Sequence, residues 1–188
     1  MGKRSRGSLR LPGPFFAANV AHGSAREDNQ FRTDTHLRRR VLHFGITDHP
    51  TAEWTSRHVI EAFPWDTAPR YMIRDRDSIY GDIFRARAKA MGIEEVLIAP
   101  RSPWQSPYIE RLIGSIRRDC LDHVVVSGER HLRCVLKSYL AYYHEARCHM
   151  ALDGDAPEHR EPQPPEMGNV VELPEVGGLH HRYVRRAA

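Results

Sequence analysis

The 188-residue chain has no apolar run near the roughly 18 residues of a membrane-spanning helix. Its basic N-terminus has no apolar stretch adequate for a secretory signal, so a cytoplasmic location and no membrane partner are expected. Cysteine is scarce. Cys120, Cys134 and Cys148 are an odd set of three, which argues against a disulfide framework. A strong charge bias is also missing, because 28 Lys and Arg stand against 24 Asp and Glu, for a net charge of +4. That balance, with an isoelectric point near 9.1, permits nucleic-acid binding without requiring it. There is no internal repeat, no zinc-finger spacing and no phosphate-loop signature. What remains is ordinary for a folded domain: 40% hydrophobic and 28% charged residues, in a chain long enough to bury a core.

The most informative stretch is residues 71–121. An apolar run at 71–73 ends in Asp75 and Asp77, a helical pattern follows to Met91 and Gly92, and residues 94–99 read as a short buried strand. Pro100, Ser102 and Pro103 stop that strand before a new helical pattern begins near Ser106, with Glu110 early in it. A carboxylate at a strand end and another on the first turn of a later helix can meet at one edge of an α/β sheet. Hard cations such as Mg²⁺ and Mn²⁺ take carboxylate oxygens, and a pair of such ions clamps a phosphodiester during in-line displacement. Taken alone, an Asp and a Glu at this spacing are far more often a solvated loop charge and an ordinary helix charge.

Their neighbours add a pattern. Asp75, with Ser78 and Tyr80 behind it, resembles the second acidic motif of the DDE integrase and transposase core. The segment Ser102, Pro103, Trp104, Gln105, Ser106, Pro107, Tyr108, Ile109, Glu110 resembles the third. Arg117, seven residues beyond Glu110, stands where that family usually has a basic residue, and seven residues is close to two helical turns. Tyr142, Tyr143, His144, Arg147, His149 and Leu152 resemble the pattern that closes many bacterial insertion-sequence transposase cores. The resemblance runs from about Arg38 to about Leu152.

In chain order, residues 1–37 read as a disordered or loosely attached basic lead. Val41, Leu42, Phe44 and Ile46 make a strand. Asp48 and Pro50 then introduce a helix over residues 51–63, with Trp54, Val59, Ile60 and Phe63 supplying its buried face. After Glu110, the stripe of Leu112, Ile113, Ile116, Cys120 and Leu121 has helical period, flanked by Arg111, Arg117 and Arg118. A longer helix over residues 130–145 carries Leu132, Val135, Leu136, Tyr139, Leu140 and Tyr143 at the packing period. Cys120 with His123, and His144 with Cys148, have zinc-ligand offsets, but those are also ordinary same-face helix spacings, which is the preferred reading. Residues 153–188 read as a Pro-rich loop, a short strand at 170–173 and a basic C-terminal tail.

The resemblance implies a mixed α/β, ribonuclease-H-like sheet flanked by helices, with residues 38–152 forming a partial catalytic core. It implies metal-dependent DNA strand transfer in integration or transposition, with water or a DNA 3′-hydroxyl as nucleophile. Asp75 and Glu110 would bind Mg²⁺ or Mn²⁺. Gln105, Arg111, Arg117 and Arg118 would contact DNA, and the partners would be DNA and a second copy or another transposase subunit. Asp77 lies outside the implied site. The pattern is incomplete at its start, since the region around Phe15 and Val20, where the first aspartate belongs, has no acidic residue. Asp28 and Asp34 are the only aspartates upstream of the first predicted strand, in polar sequence. The expectation is a core truncated or rearranged at its N-terminus, lacking its first strands. The alternative to an enzyme is a noncatalytic DNA-binding or oligomerising remnant.

Overall fold

The computed structural model describes the backbone of residues 14–18 and residues 39–65, 67–105 and 107–187. Most of the expected loose lead, with Asp28 and Asp34, therefore lies outside the described residues. Within residues 1–37, Pro14–Ala18 is a strand, β1, antiparallel to β2 at Val41–Ile46, with Phe16 opposite Phe44. Helix α1, Ala52–Ala62, follows. Its cap is Thr51 rather than Asp48: the Thr51 hydroxyl accepts the Trp54 N–H at 3.2 Å, satisfying an otherwise orphaned first-turn donor. Val59 and Phe63 are buried as expected, whereas Ile60, about 100° further round the helix from Val59, faces outward.

Strand β3, Tyr71–Arg74, runs parallel to β4, Glu94–Leu97, and the crossover between them is a 3₁₀ turn at Ser78–Tyr80 and helix α2, Asp82–Ala90. Parallel neighbours need such a crossover because a tight hairpin cannot reverse the chain direction twice. One apolar cluster locks this unit, with Val59, Ala62 and Phe63 meeting Phe84, Ala88 and Ile93. The fully buried Thr55 hydroxyl donates to the Ile79 carbonyl at 2.6 Å, fastening α1 to the turn beyond β3.

The second cluster is built by α3, Pro107–Asp119, and α4, Glu129–Glu145, against β2. Leu112, Ile116 and Cys120 meet Leu132, Leu136, Tyr139, Leu140 and Tyr143, with Val41 and Ile46 from the strand. These are the stripes that the helical period predicts. Burial pushes the Cys120 thiol up to about 11, with the Asp119 carboxylate adding to it, so this sulfur is packing material.

Among the described residues the class is mixed α/β, with four α-helices and small sheets, consistent with a partial form of the expected ribonuclease-H-like layer. Instead of one central sheet, the described strands form three two-stranded sheets, β1 with β2, β3 with β4, and a C-terminal pair. Residues 94–99 were expected to be a buried strand, yet Val96 and Leu97 are 43% and 41% exposed. The reason is that β4 pairs with β3 and with no further described strand, so its flank stays open. The C-terminal region is more ordered than a basic tail: β5, Asn169–Glu175, and β6, His180–Arg186, form an antiparallel hairpin. It docks on α4 through His180, whose ring stacks on Tyr142 at 4.5 Å and whose Nε2 lies 2.6 Å from the Asp119 carbonyl.

Candidate functional site

Asp75 follows the last residue of β3 and is exposed. One of its oxygens accepts the Asp77 N–H at 3.1 Å. Asp77 is structural, as its place outside the expected site suggests: its carboxylate accepts the Ile79 N–H at 3.0 Å and caps the Ser78–Tyr80 turn. Arg74 sits beneath, ion-paired with Glu95 with both side chains largely buried, and spans the rings of Tyr80 and Phe84 at 5.2 and 6.0 Å. The Tyr80 hydroxyl is held far above its ordinary range, first by burial and then by the negative charge of Asp75.

Glu110 lies in the first turn of α3, also exposed. That turn suits a carboxylate, because the unpaired N–H groups there carry partial positive charge. Gln105 ends the 3₁₀ turn Pro103–Gln105, and its side-chain oxygen accepts the Ala99 N–H at 2.6 Å. This bond ties the connection after β4 back on itself and sets where α3 begins. Among the described residues, neither Asp75 nor Glu110 belongs to a group of three or more potential metal ligands. Nor do the cysteine and histidine pairs with zinc-like spacing form one.

The basic residues divide by helix face. Arg111 and Arg118, seven apart, line a cleft of about 520 Å³ together with Arg39, Arg40 and Arg147. Arg117 is exposed one residue round the helix and does not line it. Two of the five arginines in the cleft are neutralised, Arg147 by Asp119 at 3.0 Å and Arg40 by Glu158 at 3.2 Å. Arg39 lies over the Tyr108 ring at 5.5 Å and makes no ion pair among the described residues. Arg111 and Arg118 make no ion pair among the described residues, so the cleft carries net positive charge. In its wall, the buried His149 is pushed down to about 4, first by burial and then by the charges of Arg147 and Arg39.

Sequence reasoning missed Arg39, Arg40 and Tyr108 as parts of this cleft. The basic run that precedes Val41 was the available signal. The closing pattern of tyrosine, histidine and arginine proves to be structural. His144 Nε2 accepts the Val41 N–H at 2.9 Å, Arg147 holds Asp119, and Tyr143 meets the His149 ring edge-on at 4.8 Å. These bonds fix the end of α4 to β2 and α3, and so shape the cleft.

Residues 91–157 match the family model of the integrase core domain. The matched segment contains β4, Gln105, α3 with Glu110, Arg111, Arg117 and Arg118, and α4, while Asp75 lies before it. No curated protein matches the chain significantly. Over these residues, about a third of the chain, the sequence is similar to the integrase core domain. No described helix is long and apolar enough to cross a membrane.

Proposed function

We propose that this chain engages DNA along α3, with Arg39, Arg111 and Arg118 holding phosphates in the cleft and Arg117 and Gln105 flanking the path. The observation that carries this reading is the convergence of five arginines on one cleft against the helix that bears Glu110, inside the integrase-matched segment. Guanidinium groups grip phosphate oxygens in forked geometry and bind without reading sequence, which suits a protein that must hold DNA of varied sequence.

In this reading Asp75 and Glu110 are the carboxylates offered to Mg²⁺ or Mn²⁺. Their oxygen donors match hard cations, but two exposed carboxylates without a third described ligand form an incomplete set. Metal-dependent strand transfer therefore needs a further carboxylate, from Asp28 or Asp34 or from another chain. The same shortage favours a second reading, a noncatalytic DNA-binding or oligomerising protein.

A supercoiled-plasmid nicking assay with Mn²⁺, run beside a DNA-retention assay, separates the two. Cleavage that Glu110→Gln and Asp75→Asn each abolish establishes the enzyme. DNA retention without cleavage establishes the noncatalytic DNA-binding reading, and failure both to retain and to cleave DNA refutes DNA engagement and leaves only an oligomerising role.

A further inference from the structure

We propose that His43, His58 and Glu61 form a binding site for a borderline divalent cation of the zinc type, clamping β2 to α1. His43 projects from the strand, and His58 and Glu61 lie three apart on the helix, where they share a face. The three donor atoms converge. His43 Nε2 is 2.7 Å from His58 Nδ1, His58 Nδ1 is 2.9 Å from Glu61 Oε2, and His43 Nε2 is 3.4 Å from the same oxygen. Around an ion with bonds of about 2.0–2.2 Å, tetrahedral ligand atoms stand roughly 3.3 Å apart. Only modest opening is needed, mainly of the histidine pair.

The donor chemistry selects the ion. Two imidazole nitrogens and one carboxylate oxygen suit zinc, cobalt, nickel or copper, whereas magnesium and calcium prefer oxygen throughout. Three protein ligands leave a fourth position for water. Imidazole binds metal in its neutral form, through the lone pair of one ring nitrogen. Without an ion, the two nitrogens at 2.7 Å cannot both carry a proton toward each other, and a cation satisfies both lone pairs and the carboxylate together.

The surroundings hold the rings in place. The Trp54 ring meets His58 edge-on at 4.1 Å. Across from them, Gly45 leaves the space that the rings occupy: a Cβ there would stand 2.6 Å from the Trp54 ring and 2.7 Å from His58 Nε2. The His58 and His43 side chains are 13% and 22% exposed, and Glu61, at 45%, opens the site to solvent. None of these residues belongs to the acidic site or the basic cleft, and the inference does not depend on the DNA-binding reading.

The experiment is a Co²⁺ titration of the full chain after chelator treatment, followed by optical absorption and then by Zn²⁺ competition. One equivalent of Co²⁺ with visible ligand-field bands, displaced by Zn²⁺, is the expected result. His43→Gln, His58→Gln and Glu61→Gln should each weaken binding by roughly tenfold or more, while Asp75→Asn with Glu110→Gln leaves it unchanged. Glu61→Gln is the decisive variant because its half-exposed side chain can change without disturbing the core. Zn²⁺ should raise the melting temperature of the wild type and not that of Glu61→Gln. Absence of saturable Co²⁺ binding in the wild type, or binding retained by all three variants, overturns the site.

Discussion

The salt dependence of DNA binding measures how many phosphates the chain neutralises, and the cleft gives a number to compare. Of its five arginines, Arg40 and Arg147 are already paired with carboxylates, leaving Arg39, Arg111 and Arg118. Each phosphate neutralised contributes about −0.9 to the slope of log affinity against log salt on duplex DNA, so three predict a slope near −2.7 from the cleft. Between about 50 and 200 mM salt this is a loss of roughly 40-fold in affinity. Replacing both Arg111 and Arg118 by alanine should leave a slope near −0.9 from this region and a loss of only about 3-fold. Fluorescence anisotropy with a labelled duplex, repeated across that salt range, reads the slope directly. The single variants decide the helix face, because Arg118→Ala should flatten the slope by about 0.9 and Arg117→Ala by less. If Arg117→Ala flattens the slope and Arg118→Ala does not, the DNA runs along the Glu110 face and the reasoning from the cleft is wrong.

Acid should destabilise the fold through His149, whose imidazole stays neutral down to about pH 4 in the folded chain but has an ordinary value of 6.5. The unfolded chain takes up that proton first, so stability falls as pH drops from 6.5 toward 4, by up to about 3 kcal/mol; urea unfolding of wild type and His149→Phe across this range should show a shallower decline in the variant. Gly45→Ala would push a methyl group against the Trp54 and His58 rings, and overpacking of this kind costs about 1–3 kcal/mol, visible as a lowered melting temperature. Leu136→Ala, at a fully buried position, should cost about 2–5 kcal/mol, whereas Leu97→Ala at the open sheet flank should cost far less; equal losses would refute the assigned core.

Helical features were the most legible in the sequence because their signal is local. The three- and four-residue recurrence of Leu132, Leu136, Tyr139, Leu140 and Tyr143 announces a buried face, and the structure buries it. Strand environment is not local. Residues 94–99 read as a buried strand because of the run Val96, Leu97, Ile98 and Ala99, but burial depends on neighbours contributed by distant sequence, and among the described residues β4 pairs with β3 alone. The acidic motifs were readable from residue order, while the cleft was not. It joins a loop before β2, one face of α3 and the residues after α4, and the two arginine faces of α3 differ by a single position. The His43, His58 and Glu61 group was equally hidden, since its first member comes from a strand and its others from a helix.

The separation of the two apolar clusters bears on what an incomplete acidic site means. The cluster beneath the cleft draws its buried residues from β2, α3 and α4 and its neighbouring turn, with none from β3 or β4. The bonds that shape the cleft, His144 to Val41 and Arg147 to Asp119, lie within the same set of elements. Asp75 belongs to the other unit, just beyond the end of a strand whose sheet has two described members. In the proposed reading, loss of Asp75 or of strands on that side would remove a metal ligand and leave the buried residues of the cluster beneath the arginines in place. DNA engagement would rest on the cleft, whereas strand transfer would need Glu110 of α3 together with Asp75 of the other unit, so the first can outlast the second.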